Sequence, residues 1–205
     1  MGWQANIEYF GDYVIKTPKT ESEIRETVTR YLNSIGKIGE LDKRVKDMQT
    51  GWVNGLKIIS NSKIPPKMLG YPEFLDEGKI KQKRVRVLEE VWNELIKNGK
   101  IKEMKNIVDK TLEFIIELWK YGIHETTGKI GYEFGLMGEE IILIDFGEIC
   151  KNKNTAKKQI MKKYWEKNIN KHCTKEVADY FNMKAISTLT INNLDKNWDT
   201  KNNLA

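Results

Sequence analysis

The stretch Ile141-Ile142-Leu143-Ile144 is apolar and mostly β-branched, and it ends abruptly in Asp145-Phe146-Gly147. An uninterrupted apolar run of this length predicts a buried strand. Such a strand delivers one carboxylate to its end, and Gly147 lets the backbone turn just beyond it. A rigidly placed carboxylate suits magnesium, which demands oxygens at near-ideal octahedral positions. A second strand pattern, Tyr13-Val14-Ile15-Lys16, ends in a lysine.

The rest of the chain is read around these two points. Residues 6–16 predict a hairpin turning at Gly11-Asp12, with Ile7 and Tyr9 alternating with polar neighbours. Thr20 with Glu23 three residues later has the spacing of a capping box, opening a helix to about Asn33 with Ile24, Val28, Tyr31 and Leu32 on one face. A longer helix over 40–60 carries Val45, Met48, Trp52, Leu56 and Ile59 at helical spacing, weakened by Gly51 and Gly55. Ile64-Pro65-Pro66 ends it, and extended segments at 67–74 and 79–88 flank a turn at Asp76-Glu77-Gly78. Helices are expected over 89–96 and 102–122, the second with a wide apolar stripe. A loop over 124–133 precedes a hairpin formed by Phe134-Gly135-Leu136 and Ile141–Ile144. Beyond Gly147 a basic helix is expected over 154–167, then a last helix over 175–189 and a frayed polar tail over 192–205.

With 205 residues and a moderate charged fraction, the chain suffices for one compact domain. No apolar stretch is long enough to span a membrane, and no export signal opens the sequence, so no membrane association and a cytoplasmic location are expected. Cys150 and Cys173 have no CxxC spacing, HExxH is absent, and the histidines are only His124 and His172, all of which argue against zinc chemistry. GxxxxGK[ST] is absent too, which excludes a P-loop nucleotide site.

The order of elements, a hairpin with Lys16, helices, strands, helices, a loop and a hairpin ending in Asp145-Phe146-Gly147, resembles the protein-kinase-like superfamily. It is most similar to the smaller atypical members: aminoglycoside phosphotransferases, RIO-type kinases and lipopolysaccharide kinases. The segment Lys63–Gly70 looks like their link between the αC helix and the next strand, and Gln82–Leu88 falls where their hinge grips adenine. The resemblance implies an α+β, two-lobed fold over residues 1–191, with a reduced N-terminal sheet lobe (1–88) and a mainly helical C-terminal lobe (89–191). It further implies ATP and Mg as cofactors and phosphotransfer to a protein, small-molecule or RNA substrate. In this frame Lys16 contacts the phosphates, and Asp145 with Gly147 forms the cofactor-binding turn. Asp145 binds the metal, joined by Glu133, which takes the place of the family's metal-binding asparagine. Gly128 falls in the place of the catalytic aspartate, so His124 or Glu125 becomes the candidate base. Gly2 would be the last glycine of a shortened phosphate lid. The glutamate that should pair with Lys16 has Asp47, Gln49, Glu26 and Glu40 as its nearest counterparts.

Two other functions fit the same sequence. With the base and most of the lid altered, the chain suits a catalytically inactive pseudokinase that binds nucleotide or protein. Alternatively, the basic segment 151–171 suits nucleic acid, with Lys157, Lys158, Lys162 and Lys163 facing the backbone and Tyr164 and Trp165 between them. The net charge of +6 favours an anionic partner in either case.

Overall fold

The computed structural model describes residues 3–202, so Gly2 and its expected part in a phosphate lid lie outside the described residues. The fold is α+β. The hairpin forms as its alternation predicts: β1 (Ala5–Phe10) and β2 (Tyr13–Pro18) pair antiparallel across a turn at Gly11 (φ +34°). Thr20 then caps α1 (Glu21–Ser34). Glu23 N–H donates to Thr20 Oγ1 (3.3 Å), and Thr20 N–H donates to Glu23 Oε2 (2.8 Å). This reciprocal pair satisfies two otherwise orphaned donors. Helix α2 (Leu41–Ser60) packs on α1 around Ile24, Val28, Leu32 and Val45, a small core of its own.

After Pro65 the chain makes a 3-10 turn (Pro66–Leu69) and the short β3 (Glu73–Phe74), where a longer extended segment is expected from sequence. The strand expected over 79–88 divides in two. Strand β4 (Ile80–Lys83) joins the first sheet, and β5 (Arg86–Val87) joins another. The division falls where Lys83 N–H turns to Gly70 O and Arg84 N–H to Asp12 O, both at 2.8 Å, taking the chain off the edge of β2. Among the described residues the first sheet has the order β1-β2-β4-β3, all antiparallel.

Helices α3 (Leu88–Lys97) and α4 (Ile101–Trp119) follow, then β6 (His124–Glu125) and the single turn α5 (Ile130–Glu133). Strands β7 (Phe134–Met137) and β8 (Glu140–Leu143) form the second hairpin, with β5 on the outer edge of β7. Strand β8 is the apolar run, and Ile142 and Leu143 are wholly buried. Just past Gly147, β9 (Ile149–Cys150) pairs with β6. Helices α6 (Lys153–Met161), α7 (Glu166–His172), α8 (Lys175–Thr188) and α9 (Ile191–Asn197) complete the chain. The main core is continuous from Ala5 through Trp52, Leu88, Trp119, Phe134 and Phe181 to Leu194. Each such large side chain contributes about 1.5–3 kcal/mol by leaving water. Among the described residues no helix is long and apolar enough to cross a membrane.

Two expectations for the C-terminal third are corrected. The basic helix is broken: Lys163 takes a left-handed φ of +48° between α6 and α7, and this turn rotates Trp165 into the core, where it is 1% exposed. The polar tail is docked through residue 202. Leu194 on α9 is buried, Asp199 N–H donates to Trp119 O (2.8 Å), and Asn202 Nδ2 donates to Tyr121 O (2.6 Å).

Candidate functional site

Lys16 lies opposite Ile7 on β1 and Ile80 on β4, so its position in the sheet is fixed from both sides. Its side chain points inward, and Nζ donates to the carbonyl of Ile144, the last residue before Asp145. Burial pulls the Lys16 pKa down, while Asp145 and Glu133 pull it back up. Nζ also sits 5.9 Å from the Phe146 ring centroid. Lys16, two residues before the end of β2, and the segment carrying Asp145, two residues past β8, are far apart in sequence and meet here.

Glu133 ends α5 beside them. Its carbonyl accepts from Ile144 N–H (2.9 Å) and Asp145 N–H (3.3 Å), which locks the two carboxylate-bearing segments together. Asp145 Oδ1 accepts from Gly147 N–H (2.9 Å), a side-chain turn that fixes the carboxylate's direction. The Glu133 carboxyl is buried and held well above the ordinary carboxylate range, first by desolvation and then by Asp145, Glu125 and Glu148. Its Oε1 lies 3.1 Å from Thr127 Oγ1, and among the described residues its buried Oε2 has no hydrogen-bond partner.

Glu125 is occupied. Its Oε1 accepts from Thr127 N–H and Thr127 Oγ1, and Gly128 N–H reaches both carboxyl oxygens at 3.1 Å. Burial still raises its pKa to about 7. Thr127 has one hydroxyl proton for two carboxyls, so one of Glu125 and Glu133 must carry a proton for both contacts to be hydrogen bonds. Gly128 has a left-handed φ of +67°, and a Cβ there would lie 2.3 Å from Tyr164 O, so the loop rests directly on backbone.

His124, read from sequence as a candidate base, is buried and 1% exposed. Trp119 Nε1 donates to its Nδ1 (3.3 Å), because an indole N–H only donates. Its Nε2 therefore carries the proton and donates to Gln159 Oε1 (2.7 Å), while Gln159 Nε2 donates to Thr126 O (2.7 Å). Desolvation lowers the His124 pKa to about 4. With both nitrogens engaged, its part is to hold the loop.

No counterpart of the lysine-pairing glutamate comes to Lys16 among the described residues. Asp47 is exposed, Glu26 pairs with Arg30 and Glu40 with Lys37 (both 3.5 Å), and Gln49 lies half-buried on α2. Helix α2 presents glycines there instead. A Cβ on Gly55 would lie 1.7 Å from Phe146 O, and one on Gly51 would lie 2.8 Å from Gly147 O. The helix thus meets the Asp-Phe-Gly segment backbone to backbone, and Gln4 Nε2, packed beside Gly51, donates to Gly147 O (3.3 Å).

In front of this cluster lies a cleft of about 650 Å³, between α1, α2, the 126–132 loop and α7. Glu148, Thr127 and Lys129 line it, with Arg44, Lys167 and Lys171. Sequence reasoning did not single out Glu148, Lys129, Thr127 or Gln4, whose only signal is proximity to Glu125, Asp145 or the first strand. A groove of about 500 Å³ on the opposite side of β8, around Lys110, Glu117 and Glu140, lies apart from Lys16 and Asp145. Among the described residues no group of three or more His, Cys, Asp or Glu converges as a metal site. The carboxylates that could hold magnesium there are Asp145 and Glu133, whose buried Oε2 has no hydrogen-bond partner among the described residues, since that ion commonly takes one or two carboxylates and completes its shell with phosphate oxygens and water. Compared with protein-family models, with curated proteins and with solved structures, the chain has no match.

Proposed function

We propose that this chain is a kinase-like phosphotransferase that binds ATP with magnesium at the Lys16–Asp145–Glu133 cluster. One observation carries the reading: Lys16 on β2 reaches the Ile144 carbonyl, so a buried cation stands beside two carboxylates fixed on separate elements. Phosphoryl transfer is mostly positioning and charge neutralisation, so these are the groups it needs most. Lys16 would orient the phosphates, and Asp145 and Glu133 would hold magnesium, which when bound neutralises charge on the transferring phosphoryl group. The sequence of elements supports the same two-lobed arrangement, with residues 3–88 carrying the four-stranded sheet and residues 89–202 mainly helical. Among the described residues lining the cleft, Glu148 is the one carboxylate, and we assign it the acceptor proton in place of His124 and Glu125.

The test is calorimetric titration with ATP, with and without magnesium, on the native chain and on Lys16→Ala, Asp145→Ala and Glu133→Gln. Magnesium-dependent binding that falls at least about tenfold in each variant is expected, the size of one lost charge contact. Absence of ATP binding to the native, folded chain would overturn the reading. A second reading, a binding module without turnover, is favoured by the missing partner for Lys16, whose Nζ is taken by the Ile144 carbonyl. ATP binding with no ADP formed would select it.

A further inference from the structure

We infer that the cleft beside Glu148 binds a small phosphorylated compound, and that this is the class of acceptor for the phosphotransferase proposed above, on which that second half rests. Arg44 from α2, Lys129 from the loop, and Lys167 and Lys171 from α7 line it. Other lysines of the same region are neutralised: Lys153 and Lys157 both reach Asp195, at 2.8 and 2.7 Å. Among the described residues none of the four cleft cations makes a salt bridge. Lys167 and Lys171 stand four residues apart on one helix face, a spacing at which like charges repel. Lys129 lies 5.9 Å from the Trp3 ring centroid and with Arg44 acts on Glu148, so the cleft sets four cations against one carboxylate, and that excess complements a multivalent anion.

The chemistry of the walls narrows the class. Lysine ammonium groups act as point charges well suited to phosphate. Trp3 and Tyr31, edge to face at 5.0 Å, give the cleft an apolar wall beside those charges, which suits a phosphate carried on a ring. The volume is that of a small-molecule site. A nucleic-acid strand needs a continuous basic track with exposed stacking rings. In the basic segment 151–171, Trp165 is turned into the core, and Tyr164 packs against it and against His124, with ring centroids 5.5 and 5.2 Å away. The cleft also adjoins the proposed metal site, because Thr127 lines it and lies 3.1 Å from Glu133 Oε1. In the reaction so built, an acceptor hydroxyl oxygen bonds to the γ-phosphorus of ATP and its proton passes to Glu148. The bond from that phosphorus to the β–γ bridging oxygen breaks, and ADP leaves.

The experiment titrates the full chain, without magnesium, with ribose 5-phosphate, fructose 1,6-bisphosphate and a 5′-phosphorylated RNA octamer. Lys167→Glu/Lys171→Glu is compared with Lys162→Glu/Lys163→Glu, an equal charge change outside the cleft. Binding of at least one sugar phosphate, weakened at least about tenfold by the first pair and unchanged by the second, is expected. Failure of both sugar phosphates to bind at millimolar concentration, or equal weakening by both pairs, would overturn the proposal. Octamer binding tenfold tighter than either sugar phosphate would replace it with a nucleic-acid site. Magnesium–ATP titrations on the same proteins separate the two readings. Sugar-phosphate binding without ATP binding would sink the phosphotransferase and leave the cleft's ligand class standing, and the reverse pattern would sink the cleft alone.

Discussion

The cluster around Lys16 and the cleft beside Glu148 share a wall at Thr127, yet they handle charge in opposite ways. Inside, Lys16 is answered by the Ile144 carbonyl and by Asp145 and Glu133, and each group is fixed by backbone contacts. Outside, four cations face one carboxylate, Lys129 lies 5.9 Å from the Trp3 ring centroid, and among the described residues none of the four makes a salt bridge. Buried charges must be compensated within the protein, whereas exposed ones tolerate being left for a ligand. The difference separates residues that set the architecture from residues free to define what binds.

The largest effect should come from the contact that sets the depth of the cluster. Gly55→Ala places a methyl 1.7 Å from the Phe146 carbonyl, and neither helix nor turn can yield there cheaply. We expect a loss of about 3 kcal/mol or more in urea unfolding, together with loss of magnesium–ATP binding. A stability within about 0.5 kcal/mol of native would mean that α2 does not seat the Asp-Phe-Gly turn.

Next in size is a pH effect. His124 titrates near pH 4 when folded, against an ordinary value of 6.5, so the unfolded chain binds more protons between these limits. Its contribution, fully present above about pH 6.5, is lost as pH falls towards 4, in total by roughly 3 kcal/mol. Glu125, raised to about 7, acts in the opposite sense, because its contribution is lost as pH rises from 4.5 to 7, and Glu133 has the same sign. The difference between native and His124→Gln isolates the histidine, and urea midpoints from pH 4 to 7 should show it growing with pH. A pH-independent difference would contradict a neutral, buried imidazole.

The smallest effect sharpens the comparison from the other side. Lys167→Ala and Lys171→Ala should leave the unfolding free energy in urea within about 0.5 kcal/mol of native, because both side chains are exposed and make no salt bridge. A clear loss would move them into the architecture.

Much of the frame was legible because its signals are local. Thr20 and Glu23 lie three residues apart and form the reciprocal cap, and Ile141–Leu143 of the apolar run lie in the buried strand, with Ile144 just past its end. The nearness of Lys16 to Asp145 and Glu133 is what the resemblance implies, and no local spacing encodes it. What escaped depends on which backbone lies across from a residue. Gly51 and Gly55 read as flaws in a helix, but they are where that helix touches the Phe146–Gly147 backbone. Nothing local to His124 marks it as buried, because its partners are Trp119 and Gln159, five residues before it and thirty-five after. Ile7 and Tyr9 alternate as a half-buried strand should, yet they lie on the exposed edge strand β1.

The pairing of β6 with β9 has one more consequence. His124 faces Cys150, Glu125 faces Ile149, and Thr126 N–H donates to Glu148 O at 2.8 Å. Residues 126–148 therefore form a loop clasped at its neck, and the loop holds Thr127, Glu133 and Asp145 along with the whole β7–β8 hairpin. Unfastening that short ladder would release both carboxylate segments together, so in hydrogen exchange they belong to one cooperative opening unit rather than two.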